Sequence, residues 1–132
     1  CFTFTKAAKK ISVATDLGCY DSYTVEKLRE STVLFIEANH DVEMLKNGSY
    51  PHYLKKRILS DTGHLSNEMS ARLVSELIHE NLRYVILGHL SRENNSPELA
   101  RNSVKGAIMS SSAAGIELLV SEREEASGVI TI

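Results

Sequence analysis

Residues 32–41 read TVLFIEANHD, and this stretch decides the fold expected for the chain. The run from Val33 to Ile36 is continuously apolar, which suits a strand buried on both faces. Polar residues from Glu37 to Asp41 follow directly, so the strand ends where side chains able to do chemistry begin. A similar apolar run in RYVILGH, residues 83–89, also ends at a histidine.

Helical patterns alternate with these strands. Residues 66–82 (SNEMSARLVSELIHENL) place apolar side chains at helical spacing, with Ser66 or Asn67 as the N-cap. A later helix begins at the cap Ser96 and is predicted to end at Gly115. The other expected elements are a hairpin in 1–16, a helix in 22–31 capped by Ser22 or Thr24, short helices on both sides of an Asn47-Gly48 turn, and closing strands in 116–122 and 128–132. This alternation predicts an α/β layered domain.

Composition restricts the kinds of partner. The chain has 132 residues, 42% of them apolar and 24% charged, with a net charge of −2. A polyanion would therefore have to bind at a local site, because no global positive field attracts it. No apolar run approaches the roughly 18 residues of a membrane span, and no signal peptide is visible. Cys1 and Cys19 are expected to be free thiols in the reducing cytoplasm.

Four polar residues fall at the ends of predicted elements. Asp16 ends the first long strand, Glu37 ends VLFI, His64 precedes the long helix and His89 ends YVIL. The tetrapeptide GHLS occurs at both histidines, and we expect each glycine to let the backbone turn sharply there. Sites in layered α/β folds form where strands end, so these side chains are expected to share one cleft.

The chemistry of these residues points to a metal and a phosphate. Carboxylate and imidazole ligands suit zinc or manganese, and an aspartate can bridge two metal ions. Unpaired N–H groups at the start of the helix after His64 offer an anion site. Neutral donors that would orient phosphate oxygens are Ser66, Asn67, Ser91, Asn94 and Asn95.

Ordinary structural alternatives exist for most of these residues. An aspartate after a strand is usually a turn residue, and a glutamate at a strand end is usually solvated or capping. His52 and His79 are interpreted as surface or rim residues. The basic run from Lys55 to Arg57 is most simply a solvated helix face, although it could contact a nucleic-acid backbone.

Three strings of the sequence carry a resemblance to a known family. They are ATDLG, VLFIEANHDVEMLKNGSYPHYLKKRILSDTGHLSN and VILGHLSRENNSPELA. From about Ile11 to its end, the chain resembles the carboxy-terminal half of YycJ (also called WalJ), bacterial exonucleases of the metallo-β-lactamase fold. A broader and weaker likeness is to tRNase Z, which shares the order of the motifs. The resemblance implies one mixed sheet with helices on one face, half of an αββα sandwich.

The resemblance also implies roles for individual residues. Asp16 matches the family's metal-bridging aspartate, and His89 matches its last metal histidine. Glu37 matches a glutamate that orients a histidine, and His64 matches that histidine, which protonates the leaving oxygen. His40 stands in a stretch typical of the YycJ group and is expected to line the substrate cleft.

One family signature is missing from the sequence. The HxHxDH cluster that supplies most metal ligands is absent, so two divalent ions, zinc or manganese, would be incompletely liganded here. Residues 1–132 are therefore expected to be a single partial domain with little activity of its own. An amino-terminal half, in the same protein or another chain, is the expected partner, and a homo-oligomer is a further possibility.

The resulting hypothesis is a metal-dependent DNA exonuclease of the YycJ type that holds DNA by its phosphate backbone at this local site. One alternative is the same fold acting on a thioester, lactone or cyclic phosphodiester. The other is a non-catalytic module that only assembles with a partner half, which the missing HxHxDH cluster favours.

Overall fold

The computed structural model describes residues 1–132 except Ala114, Arg123 and Ser127. Its elements are β1 (Phe2–Lys6), β2 (Lys9–Ala14), α1 (Ser22–Leu28), β3 (Val33–Glu37), α2 (Val42–Asn47), α3 (His52–Ile58), α4 (Asn67–Leu77), β4 (Tyr84–Gly88), α5 (Pro97–Met109) and β5 (Glu117–Val120). The strands form one sheet in the order β1-β2-β3-β4-β5. β1 is antiparallel to β2, and the other neighbours are parallel. The predicted α/β class with one mixed sheet is confirmed.

One face of the sheet forms the hydrophobic core. Alternate strand residues, such as Leu34, Ile36 and Leu87, are fully buried there. Helices α1, α4 and α5 cover this face with side chains such as Leu28 and Leu73. Because strand side chains alternate between faces, the same strands place their other residues on the opposite side.

The opposite face, called the open face below, is largely apolar, and the hydrophobic core of the described residues does not extend to it. The strand register aligns one row of side chains across all five strands: Phe2, Val13, Phe35, Ile86 and Leu119. Phe2 is 69% exposed and Phe4, on the same strand, 61%. A cavity beside Ile86 and Leu119 is bordered by residues 128–130. The full burial expected for β3 is therefore incomplete, since Phe35 on the open face is only partly buried.

Several element ends differ from the sequence prediction. Helix α1 is capped by Asp21, whose carboxylate accepts the Thr24 N–H, rather than by Ser22 or Thr24. Helix α5 ends at Met109, before the predicted Gly115, because the serines that follow it turn the chain. Residues 128–132 form no strand, since β-forming side chains do not make one without a neighbouring strand to pair with.

No helix in the described part of the chain combines the length and the apolar character that a membrane span needs. Cys1 and Cys19 are exposed, free thiols, as expected.

Candidate metal centre

Three of the four predicted site residues lie at one edge of the sheet, where the parallel strands end. Asp16 follows β2, Glu37 is the last residue of β3, and His89 follows β4. His64 reaches the same edge from the loop between α3 and α4. One ligand atom from each of the four side chains lies within 4.8 Å of the others. The structure therefore brings the four residues into one cluster, called the metal cluster below.

Glu37 lies at the centre of the metal cluster. Its side chain is fully buried, whereas that of Asp16 is 69% exposed. The Oε1 atom lies 2.8 Å from His64 Nδ1, and Oε2 lies 3.4 Å from His89 Nδ1. Oε2 also accepts hydrogen bonds from the backbone N–H groups of Asp16 and Leu17. One carboxylate thus contacts both imidazoles and fixes the loop that carries Asp16.

The two histidine rings lie edge to face, with their centroids 5.1 Å apart. The Nδ1 atoms of His64 and His89 lie 4.0 and 3.9 Å from Asp16 Oδ1. This separation leaves room between the side chains for a bound ion.

Two buried atoms of the metal cluster test whether a cation fits. Glu37 Oε1 and His64 Nδ1 are buried and have no hydrogen-bond partner, although they lie 2.8 Å from each other. Buried polar atoms without partners are rare in native proteins and call for a ligand or water. Two carboxylates and two imidazoles are donors that zinc and manganese accept. The residues present fit a divalent ion.

The backbone at two cluster residues is unusual. Asp16 has a φ of 57° and His89 a φ of 55°, both in the left-handed region. Aspartate and histidine enter this region more readily than most residues, and such conformations concentrate at functional sites. The sharp turn expected at Gly63 is present, because the chain bends there, whereas beyond β4 the positive φ belongs to His89 and not to Gly88.

The glycines before the two histidines are both required by the close approach of neighbouring atoms. A Cβ at Gly63 would lie 2.1 Å from the Ile58 carbonyl oxygen, at the end of α3. A Cβ at Gly88 would lie 2.2 Å from the ring of Phe35. Gly63 thus lets α3 pack directly against the loop of His64, and Gly88 lets Phe35 cover the end of β4.

The segment from Ala38 to Asp41 runs between the two histidine loops and bonds to both. On the His64 side, Asn39 N donates to Leu65 O at 2.9 Å, and Asn67 N donates to His40 O at 2.9 Å. On the His89 side, Asn39 Nδ2 donates to His89 O at 2.8 Å. Ser91 N donates to Asn39 O and Asp41 N donates to Asn94 O. This segment is called the bridging segment below.

The amides of Asn67 and Asn95 join the same loops directly. Each Nδ2 donates to the other residue's Oδ1 at 2.9 Å, and Asn95 Nδ2 also donates to Ala38 O. Both side chains are buried, Asn67 completely. These amides hold the loops together, and the phosphate contact predicted for them stays a prediction.

The other residues predicted to bind phosphate have different surroundings. Ser91 is half-buried and lines the cleft of about 810 Å³ that contains the metal cluster. The Ser66 hydroxyl accepts the Met69 N–H as the cap of α4, and Asn94 is buried with its Oδ1 unpartnered. Their role in phosphate binding also stays a prediction.

His40 lies beside the metal cluster but is buried. It lines a smaller pocket, of about 450 Å³, that shares His64 as a wall. Its ring nitrogens have no hydrogen-bond partner. Burial lowers the pKa of His40 to about 4; nearby Glu68 opposes this shift, and His64 adds to it. His40 is therefore a neutral imidazole near neutral pH.

Sequence reasoning missed several residues that line the main cleft. Asn39, Tyr50 and Arg92 all contribute to its walls, and so does Arg57, from the basic run that could contact a nucleic-acid backbone. Asn39 lies within the EANHD motif, and Arg57 is the last residue of the basic run of α3. Their contact with the cleft depends on tertiary packing, which local patterns do not reveal.

Comparison with known proteins identifies relatives over most of the chain. It is 39% identical over 107 residues to "Exodeoxyribonuclease YycJ" of Bacillus anthracis, a match covering 81% of this chain and 40% of that protein. It is 43% identical over 99 residues to "Exodeoxyribonuclease WalJ" of Streptococcus pneumoniae serotype 2, covering 75% of this chain and 37% of the relative. No protein-family model matches the chain.

A layered α/β domain with a candidate metal site at its sheet edge is thus homologous to part of the YycJ and WalJ exodeoxyribonucleases. The resemblance drawn from the sequence motifs is confirmed. The chain spans about two fifths of the length of these relatives.

Proposed function

We propose that this chain forms part of a metal-dependent exonuclease that hydrolyses phosphodiester bonds of DNA. The observation that carries the proposal is the metal cluster, four side chains from separate parts of the sequence with ligand atoms within 4.8 Å. The names of the homologous proteins, which are exodeoxyribonucleases, support the choice of substrate.

In this proposal Asp16 and His89 bind the metal. A divalent ion, zinc or manganese, would lower the pKa of a water molecule and polarise the phosphate. Asp16 suits a bridging position between two ions because its carboxylate is exposed and has two oxygens, each able to bind one ion.

His64 and Glu37 act on the leaving group. Cleavage leaves negative charge on the departing 3′-oxygen, and His64 would donate a proton to it from the ring nitrogen not facing Glu37. The Glu37 carboxylate, 2.8 Å from His64 Nδ1, would stabilise the ring while it is protonated. Glu37 is well placed for this because it is buried and held by backbone N–H groups.

The open face is evidence that a second half of the fold packs against this chain. A large exposed apolar surface is unusual for a monomeric soluble protein and commonly marks an interface. We propose that residues 1–132 are the carboxy-terminal half of a metallo-β-lactamase fold. An amino-terminal half carrying HxHxDH would then cover the open face and complete the ligands.

The experiment that tests the proposal compares the chain alone with the chain mixed with a candidate amino-terminal half. Bound manganese or zinc and cleavage of 5′-phosphorylated DNA are measured in both preparations. Activity and tight metal binding that arise only on mixing are the expected result. Absence of both in each preparation would contradict the proposal and favour a non-catalytic assembly module.

A second substrate class is tested in the same preparations. If a lactone or thioester is hydrolysed while DNA remains intact, the site is that of a hydrolase acting on those substrates and not that of a nuclease. The phosphate substrate is favoured over these alternatives by the names of the homologous proteins, which are exodeoxyribonucleases.

A further inference from the structure

We infer that Arg57 forms a phosphate subsite beside the metal cluster, which binds the DNA strand next to the bond that is cleaved. This inference rests on the proposed function, because it names how the same cleft would hold its substrate. Its basis is the unpaired Arg57 guanidinium in the cleft wall, together with the hydrogen bonds that join the end of α3 to the His64 loop.

The first step is the arrangement of charge along the cleft wall. Arg57 and Arg92 are the basic residues among the described lining. Arg92 is paired with Glu124, at 2.9 Å. The Arg57 guanidinium has no hydrogen-bond or ion-pair partner in the described part of the chain, and the side chain is exposed. Arg57 is therefore the cation available to a ligand in this cleft.

The second step separates Arg57 from its two basic neighbours. The Lys55 ammonium donates to the carbonyl oxygens of Lys46 and Gly48, so it holds the preceding loop. Lys56 is exposed and does not line the cleft. Of the basic run on α3, Arg57 alone combines an unpaired charge with a position in the cleft wall.

The third step is the fixed relation between α3 and His64. His64 N donates to Ile58 O at 3.0 Å, and Gly63 N donates to Ser60 O at 2.8 Å. The absence of a Cβ at Gly63 lets the Arg57 and Ile58 carbonyls approach the loop directly. Arg57 is thus carried on a helix whose end is joined to the loop of the proposed proton donor.

These features suit a phosphate group of a nucleic acid. A guanidinium binds phosphate oxygens in a bidentate manner, and backbone phosphate contacts fix the register of a strand without reading its sequence. Tyr50 in the same wall adds an aromatic face on which a base can stack. The scissile phosphate would lie at the metal cluster and a neighbouring phosphate at Arg57.

The test is the salt dependence of DNA binding, measured by fluorescence anisotropy with a short labelled duplex, in EDTA so that no cleavage occurs. The variants are Arg57→Gln, Arg57→Lys and, as the matched control on the same helix, Lys56→Gln. Loss of one phosphate contact reduces the slope of log K against log salt by about 0.9.

We expect Arg57→Gln to show this reduction and to weaken binding about tenfold at low salt, which is the loss of one charge-assisted contact. Arg57→Lys should retain the slope, and Lys56→Gln should match the unsubstituted chain. Equal effects of Arg57→Gln and Lys56→Gln would overturn the subsite, and so would no effect of Arg57→Gln or a failure of the chain to bind the duplex.

The experiment distinguishes failure of the Arg57 subsite from failure of the proposed hydrolysis. If the duplex binds through Arg57 but is never cleaved with metal present, the proposed function fails and the subsite stands. If cleavage occurs and Arg57→Gln has the KM of the unsubstituted protein, the subsite fails and the proposed function stands.

Discussion

At the scale of single residues, Glu37 determines the geometry of the cluster. One fully buried carboxylate touches both imidazoles and accepts backbone N–H groups from the Asp16 loop. Any movement of Glu37 would therefore displace both imidazoles and the Asp16 loop together. This makes the neighbouring residues, rather than Glu37, the better positions at which to separate metal binding from proton transfer.

Substitutions at His64 and Asp16 separate these two roles. His64→Ala should slow DNA cleavage by the assembled protein about 10²- to 10⁴-fold, the range of a lost general acid, while bound metal is retained. Asp16→Ala should remove the metal, because it removes the proposed bridging ligand. Metal content by elemental analysis and single-turnover cleavage rates check both expectations.

His52→Ala serves as the control, since His52 is exposed on α3. It should leave metal content and cleavage unchanged. Should His64→Ala empty the site of metal, His64 is a ligand and its proposed role as proton donor is wrong.

His40 predicts a pH dependence of stability. Its ordinary pKa of 6.5 applies in the unfolded chain, and burial lowers the value to about 4 in the folded protein. Between these two pH values the unfolded chain binds more protons, so stability falls as pH drops from about 6.5 to about 4. The His40 contribution to this loss is on the order of 2–3 kcal/mol.

Urea unfolding at pH 7 and pH 4 measures this contribution. His40→Gln should show a smaller loss of unfolding free energy on acidification than the unsubstituted chain, because glutamine does not titrate. His52→Gln should keep the full loss. Parallel pH profiles for His40→Gln and the unsubstituted chain would show that His40 is not the group responsible.

At the scale of elements, the sequence predicts the strands that are marked by apolar runs. It does not predict strand pairing or helix caps that depend on neighbouring residues. Strands β3 and β4 were evident because each is a short, continuous run of apolar residues. The strand predicted at 128–132 was wrong, because β-forming residues need a strand partner that they do not find here. The cap of α1 was misassigned by one residue, since aspartate and serine cap equally well.

In the candidate site, too, some residues were predictable from the sequence and others depend on tertiary packing. Strand ends located Asp16, Glu37 and His89 in advance, because parallel strands end at one edge. Arg57 and Asn39 could not be located, since their positions depend on how α3 and the bridging segment pack. The repeated GHLS was informative, but the need for its glycines comes from close packing, which the sequence does not reveal, and neither glycine has a positive φ.

The reciprocal amide pair between the loops gives a prediction at this scale. Asn67→Ala and Asn95→Ala should each lower the free energy of unfolding by about 1–3 kcal/mol, because each leaves a buried polar partner unsatisfied. The double variant should lose less than the sum, by about 1 kcal/mol or more, since the pair is lost only once.

Urea unfolding of the four proteins in this cycle measures the coupling. Asn102→Ala is the control, since Asn102 is exposed on α5. It should change stability little. Strict additivity of the two single substitutions would mean that the amides do not act as a pair.

At the scale of the whole molecule, the two faces of the sheet differ in what covers them. Three helices close one face, and the open face carries an uninterrupted apolar row from Phe2 to Leu119. We therefore expect the chain on its own to associate with itself at concentrations where a covered domain would remain monomeric.

Sedimentation over a range of concentrations tests this expectation. The double variant Phe2→Ser/Phe4→Ser should shift the chain toward the monomer, because it removes the two most exposed side chains of the open face. Tyr53→Ser, at a side chain that is 74% exposed on α3, should not. If both variants associate as the unsubstituted chain does, the open face is not the surface responsible.

The bridging segment has a consequence for how the molecule fluctuates. Because Ala38 to Asp41 is hydrogen-bonded to both histidine loops, neither loop can detach without breaking bonds that also hold the other. Solvent hydrogen should consequently replace the amide protons of Asn39, Asp41, Asn67 and Ser91 at one shared rate, as in a cooperative opening unit. Both histidine loops would then open together, and His64 and His89 would lose their alignment in the same opening motion.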